Sequence, residues 1–129
     1  MLDMDLGSGE CGGYAVVALR GELDLIDAAD VADALETFAA REPRIIVDLA
    51  GLEFIDASGI AALVHGRTHA RDAGGDVLLA APQRLVRQVL TIIREGDGFA
   101  VHASVAEAAA SAGASRQAVA PIPAAAHLG

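Results

Sequence analysis

Three groups of side chains in this 129-residue chain could do chemistry. The first is Asp56-Ala57-Ser58-Gly59, a carboxylate and a hydroxyl next to a glycine. An apolar run, Ile45-Ile46-Val47 with Leu49, precedes it, and Ile60, Leu63 and Val64 follow at helical spacing. The serine therefore falls at a strand-to-helix junction. There, free backbone N–H groups and the positive end of the helix dipole favour an oxygen or a negative charge. Two roles suit that place: Ser58 or Asp56 as a helix cap, or Ser58 as a regulated hydroxyl. The second group is His65 and His69, four apart on the same helix, a spacing that puts both imidazoles on one face. The intervening Gly66-Arg67-Thr68 lacks the glutamate of a zinc-protease helix and adds a positive charge, so two solvated histidines are expected. The third is Gly21-Glu22-Leu23-Asp24, two carboxylates in a loop after a strand, which alone reads as an acidic turn.

Catalysis has little support from these residues. Ser58 lacks the glycine two positions earlier that a hydrolase nucleophile elbow carries, and no base is evident for it. The glycine-rich stretches at 7–13 and Gly96-Asp97-Gly98 have neither a phosphate-loop lysine nor a dinucleotide fingerprint. No catalytic residue, cofactor or metal is expected.

The elements that must position these groups follow from periodicity. Leu2, Met4 and Leu6 alternate with Asp3 and Asp5 as in a half-buried strand, and a loop over 7–13 leads to a second strand at Tyr14–Leu19. Asp27 is a candidate N-cap for a helix with Val31, Leu35 and Phe38 on one face, ending before Pro43. A strand at 44–49 and the Ser58 helix follow. Next come a strand at Val77–Ala81, a helix from Pro82 to about Arg94, a turn at Gly96-Asp97-Gly98 and a strand at Phe99–His102. The last helix covers Ser104–Ala112, with Ser104 and Glu107 as a capping box. Strand–helix–strand repeats imply parallel pairing, and the initial hairpin makes the sheet mixed. On the helix after Pro82, Leu85, Val89 and Ile92 form one apolar stripe and Val86, Leu90 and Ile93 another. An unusually buried helix is the expectation, with an exposed patch for a partner as the alternative.

Composition narrows the setting. Hydrophobic residues make up 53% but aromatics only 3%, so the core must be aliphatic and of single-domain size. No apolar run is long enough to span a bilayer, and the acidic N-terminal residues do not suit a signal peptide. With a single cysteine, Cys11, the expected location is cytoplasmic. The net charge is −9, and all nine basic residues are Arg. That charge disfavours direct binding to nucleic acid or anionic lipid and suits a protein partner with a basic face.

Taken together, Gly21-Glu22-Leu23-Asp24, Ile46-Val47-Asp48-Leu49 and Phe54-Ile55-Asp56-Ala57-Ser58-Gly59-Ile60, in this order and spacing, closely resemble the STAS domain. The most similar members are the bacterial anti-sigma-factor antagonists. The resemblance spans 1–112 and leaves 113–129 as an Ala/Pro-rich tail, expected to be disordered. It implies an α/β fold, a single STAS-like domain with a small mixed β-sheet and helices packed largely on one face. It also implies a phosphorylation site at Ser58 and a partner-binding surface of Gly21, Glu22, Asp24, Asp56, Ala57, Ser58 and Gly59. Asp24 and Asp56 map to acids near the phosphoacceptor, and Gly59 to the residue that keeps the helix start open. Family members often carry Ser or Thr in place of Ala57. In that family the unphosphorylated antagonist binds an anti-sigma factor, often itself a serine protein kinase. Phosphorylation ends the binding and a serine phosphatase restores it. A monomer or weak dimer is expected. The alternative is a STAS accessory subunit of a membrane transport assembly, which would act without phosphorylation and need a separate permease chain.

Overall fold

The computed structural model describes residues 1–93 and 98–119, and of 113–119 the backbone alone. The chain forms β1 (Asp3–Cys11), β2 (Tyr14–Leu23), α1 (Leu25–Arg41), β3 (Arg44–Ile55), α2 (Ala57–Asp72), β4 (Asp76–Ala80), α3 (Arg84–Ile92), β5 (Val101–His102) and α4 (Val105–Val119). The five strands pair in sequence order. β1 and β2 are antiparallel, and the remaining neighbours are parallel. This is the mixed α/β sheet that the sequence implies.

The topology decides where the core lies. Successive right-handed crossovers that each step one strand in the same direction put their helices on one face. Accordingly, Val31 and Leu35 of α1, Ile60 and Leu63 of α2 and Val86 and Leu90 of α3 share one core with Val47, Leu49 and Leu79 of the sheet. Each fully buried side chain of this size stabilises the fold by about 1.5–3 kcal/mol relative to exposure. On the opposite face, Ala108 and Ala109 of α4 pack on Tyr14, Ile46 and Leu78. β3 is thus buried on both sides, which is why Ile45-Ile46-Val47 reads as a continuous apolar run. α1 and α2 lie close together: a Cβ on Gly66 would come within 2.8 Å of Leu35 Cβ. A glycine inside a helix costs about 1 kcal/mol relative to alanine, and here it permits that approach.

Several expectations change. Gly7–Cys11 belong to β1, with a register shift between Leu6 and Gly9. Only Gly12 and Gly13 form the turn, both at positive φ (59° and 85°), as in a two-residue hairpin whose twist matches its strands. β2 and β3 extend to Leu23 and Ile55 because ladder pairing continues beyond their apolar runs. Asp24, not Asp27, caps α1: its side chain accepts from Ile26 N at 3.0 Å. α3 begins at Arg84 and is not unusually buried. Val86 and Leu90 are covered, but Leu85 is 50% and Ile92 77% exposed, because α3 lays a single stripe on the sheet. β5 is only two residues long, with Phe99 buried ahead of it. Ser104 Oγ accepts from Glu107 N at 3.0 Å at the start of α4, as the capping box implies. α4 continues to Val119, so a boundary at 112 falls inside a helix. The rest of the tail, 120–129, and most of the Gly96-Asp97-Gly98 turn lie outside the described residues. Among the described residues, no helix is long and apolar enough to cross a membrane.

Candidate partner-binding site

The site is assembled by the register of two parallel strands. Glu22 stands opposite Phe54 and Leu23 opposite Ile55, and Asp56 N donates to Leu23 O at 3.3 Å. The next residues, Asp24 and Asp56, therefore end their strands side by side. Each turns its carboxylate onto the helix it precedes. Asp24 accepts from Ile26 N and Asp56 from Gly59 N, both at 3.0 Å. A carboxylate there satisfies first-turn donors and complements the positive end of the dipole. α1 and α2 consequently start next to each other.

Ser58 is the second residue of α2 and is half-buried. Because Asp56 provides the cap, the serine hydroxyl is left over. Among the described residues it takes part in no hydrogen bond, and no base touches it as an activated nucleophile would require. Of the two roles open to the junction, capping belongs to Asp56. The N–H groups of Ala57 and Ser58 have no helical acceptor, so the first turn of α2 can hold a negative group on Ser58.

The other expected site residues fall into two kinds. Glu22 is half-exposed, with Oε1 2.5 Å from the Met1 amino group. That hydrogen bond raises the amine pKa, with the charges of Glu22, Asp27 and Asp24 adding to it. Ala57 is exposed, and Asp24 and Asp56 are half-buried. Together these residues form an acidic rim. Gly21 and Gly59 are backbone requirements instead. Gly21 has φ +95° at a register shift in β2. Gly59 is buried, and a Cβ there would lie 2.7 Å from Leu23 O and 2.8 Å from Ile55 Cγ1. It lets α2 press onto the strand ends.

Four further residues belong to this end of the molecule. Leu25 and Ile26, in the first turn of α1, are 75% and 85% exposed, and Phe54 and Leu85 are also exposed. β2, β3 and β4 run in parallel, so the helices after them all begin at this one end of the sheet. The acidic rim thus has exposed apolar side chains beside it. One signal was available in the sequence: on a 3.6-residue period Ile26 falls opposite Leu35, away from the buried stripe. Between α1 and α2, Ser58 opens onto a groove of about 270 Å³ with Ala28, Ala32, Ala61 and His65 in its walls.

The fold has known counterparts. The family model described as "Mlab, STAS domain" matches residues 9–97. The anti-sigma-F factor antagonist RsfA of Mycobacterium tuberculosis is 32% identical over 91 residues, covering 67% of this chain and 70% of RsfA. An anti-sigma factor antagonist from Mycobacterium paratuberculosis has the same fold, with a TM-score of 0.70 at 19% identity, covering 87% of this chain and 93% of that one. The anti-sigma factor antagonist SpoIIAA is similar in its unphosphorylated form, with a TM-score of 0.64 at 20% identity over 87% of this chain and 98% of that one. The phosphorylated form of the Bacillus protein gives a TM-score of 0.58 at 22% identity over 87% and 99%. With its mixed sheet, paired helix starts and half-buried serine, the chain belongs to the STAS domain family, among the bacterial anti-sigma-factor antagonists.

Proposed function

We propose that this chain is a phosphorylation-switched binding protein. With Ser58 unmodified it sequesters an anti-sigma factor that is itself a serine kinase, and when Ser58 is phosphorylated it releases that factor. A serine phosphatase resets the switch. The chain acts by binding rather than by catalysis, in the cytoplasm, as a monomer or weak dimer. The observation that carries this reading is the unused Ser58 hydroxyl at the second position of α2, beside Asp56, which already caps the helix. Leu25, Ile26 and Phe54 offer the apolar contact a partner needs, and Glu22, Asp24 and Asp56 the charge to orient a basic one.

The switch follows from electrostatics. Phosphate on Ser58 adds about −1.5 to −2 charges at neutral pH. Within α2 the helix dipole favours that charge, so the fold tolerates it. Against a docked partner the sign reverses. The rim is already negative, and an apposed surface excludes water. Like charges several ångströms apart then cost on the order of 2–4 kcal/mol. That range is a roughly thirtyfold to several-hundredfold loss of affinity.

Intact-mass measurement tests the modification itself. Incubated with ATP and a kinase-type anti-sigma factor that binds the unmodified chain, the protein should gain one phosphate, and Ser58→Ala should gain none. A phosphate that still appears on Ser58→Ala would place the switch elsewhere. No phosphate on the wild type would favour the transport-subunit alternative.

A further inference from the structure

We propose that Glu36, His65 and His69 form a binding site for one divalent transition-metal ion of the zinc class, held between α1 and α2. The two histidines have the right spacing, and the structure supplies the carboxylate that their own helix lacks. Glu36 Oε1, from α1, lies 2.7 Å from His65 Nε2 and 3.6 Å from His69 Nε2. All three donor atoms lie within 4.8 Å of one another. Ligands about 2.0–2.2 Å from a tetrahedral zinc stand roughly 3.4 Å apart. Closing the set around an ion therefore takes only small rotations of half-exposed side chains. Water would fill the remaining position.

The convergence is built into the helix pair. Gly66 follows His65, and Leu35 precedes Glu36; the close contact between Gly66 and Leu35 brings the two backbones together at this level. His69 approaches the same Glu36 oxygen as His65, and the two imidazole ring centroids are 4.5 Å apart. Arg67, the charge that weighs against a metal in the sequence, is engaged elsewhere. Its Nε lies 3.4 Å from Asp76 Oδ1 and its guanidinium 5.2 Å from the Phe99 ring centroid. Beyond His69 the cluster borders an open groove whose walls include Arg41 and Asp72.

The donor chemistry selects the ion. Glu36 is the acidic donor of the set, and carboxylates are ordinarily ionised at neutral pH. Two imidazoles and one carboxylate suit zinc, nickel or copper, whereas magnesium and calcium prefer oxygen sets. To ligate, both histidines must offer a bare Nε2, so His65 gives up its hydrogen bond and any proton there leaves on binding. His65 also lines the groove that holds Ser58, so a bound ion would stiffen the helix pair presenting that serine. The site itself does not depend on Ser58.

The test uses the untagged chain, stripped with a chelator and titrated with zinc, nickel or magnesium chloride by calorimetry and thermal melting. One zinc per chain should bind. At a hundredfold excess over its Kd the melting temperature should rise on the order of 10 °C, and magnesium should do nothing. His65→Ala, His69→Ala and Glu36→Gln should each weaken zinc binding at least as much as loss of an outer hydrogen-bond partner does, roughly 10–100-fold. Ser58→Ala should bind zinc like the wild type, which separates this site from the phosphorylation switch. Zinc binding that persists undiminished in the double variant His65→Ala/His69→Ala would assign the ion to other donors, such as Cys11 or His102. That result, or the absence of any zinc-dependent rise in the wild type, overturns the proposal.

Discussion

Helices α2 and α3 leave the same end of the sheet from neighbouring parallel strands, yet they begin in opposite ways. α2 is pinned: Asp56 accepts from Gly59 N, and Gly59 is pressed against Leu23 and Ile55. Before the first residue of α3, the N-cap Gln83 makes no side-chain cap bond and instead donates its amide to Ala50 O at 2.8 Å. The pinned start leaves the Ser58 hydroxyl without a hydrogen bond among the described residues, while the looser start leaves Leu85 exposed. Rigid backbone with a spare polar group suits a modification site, and exposed apolar surface on a lightly held helix suits adaptable contact.

Substitutions can break this contrast, and the largest effect should come from the buried side of α3. Leu90→Ala should cost about 2–5 kcal/mol in urea unfolding, as for other buried leucines. Ile92→Ala, at an exposed position, should stay within about 0.5 kcal/mol. Equal costs would mean that both faces of α3 are covered in solution. Next comes Gly59→Ala at the pinned start, where the added methyl should cost roughly 1–3 kcal/mol. A change of only a few tenths would show that the start of α2 yields easily. Asp56→Ala should cost about 1 kcal/mol, while Gln83→Ala should lose no more than about 0.5 kcal/mol for its exposed bond to Ala50. Smallest of all, Ser58→Ala should shift stability by less than about 0.5 kcal/mol, because its hydroxyl makes no hydrogen bond among the described residues.

What was legible in the sequence follows the range of the forces involved. Ile45-Ile46-Val47 announced a buried strand because burial on both faces demands consecutive apolar residues. The continuation through Gly51 to Ile55 was not legible, since it is held by ladder bonds to β2 rather than by side-chain pattern. Asp27 reads as the cap of α1 in the sequence, and only the end of β2 at Leu23 gives that role to Asp24 instead. The two stripes of α3 are real, but sequence cannot say how much of a helix face its neighbours will cover. The Asp56–Ser58 junction was readable because its chemistry is local. The exposure of Leu25, and the meeting of Glu36 with His65 and His69 across 29 and 33 positions of chain, exist only once α1 lies on α2.

The most direct test of the central claim is titration calorimetry of the cognate anti-sigma factor against the chain with Ser58 unmodified, phosphorylated, or changed to Ala or Asp. The account predicts tight binding by the unmodified chain and by Ser58→Ala. It predicts a roughly thirtyfold to several-hundredfold weaker affinity for the phosphorylated chain. Ser58→Asp should bind poorly while melting close to the wild-type temperature, because the helix dipole tolerates the charge. Equal affinity of the phosphorylated and unmodified chains would contradict the switch outright.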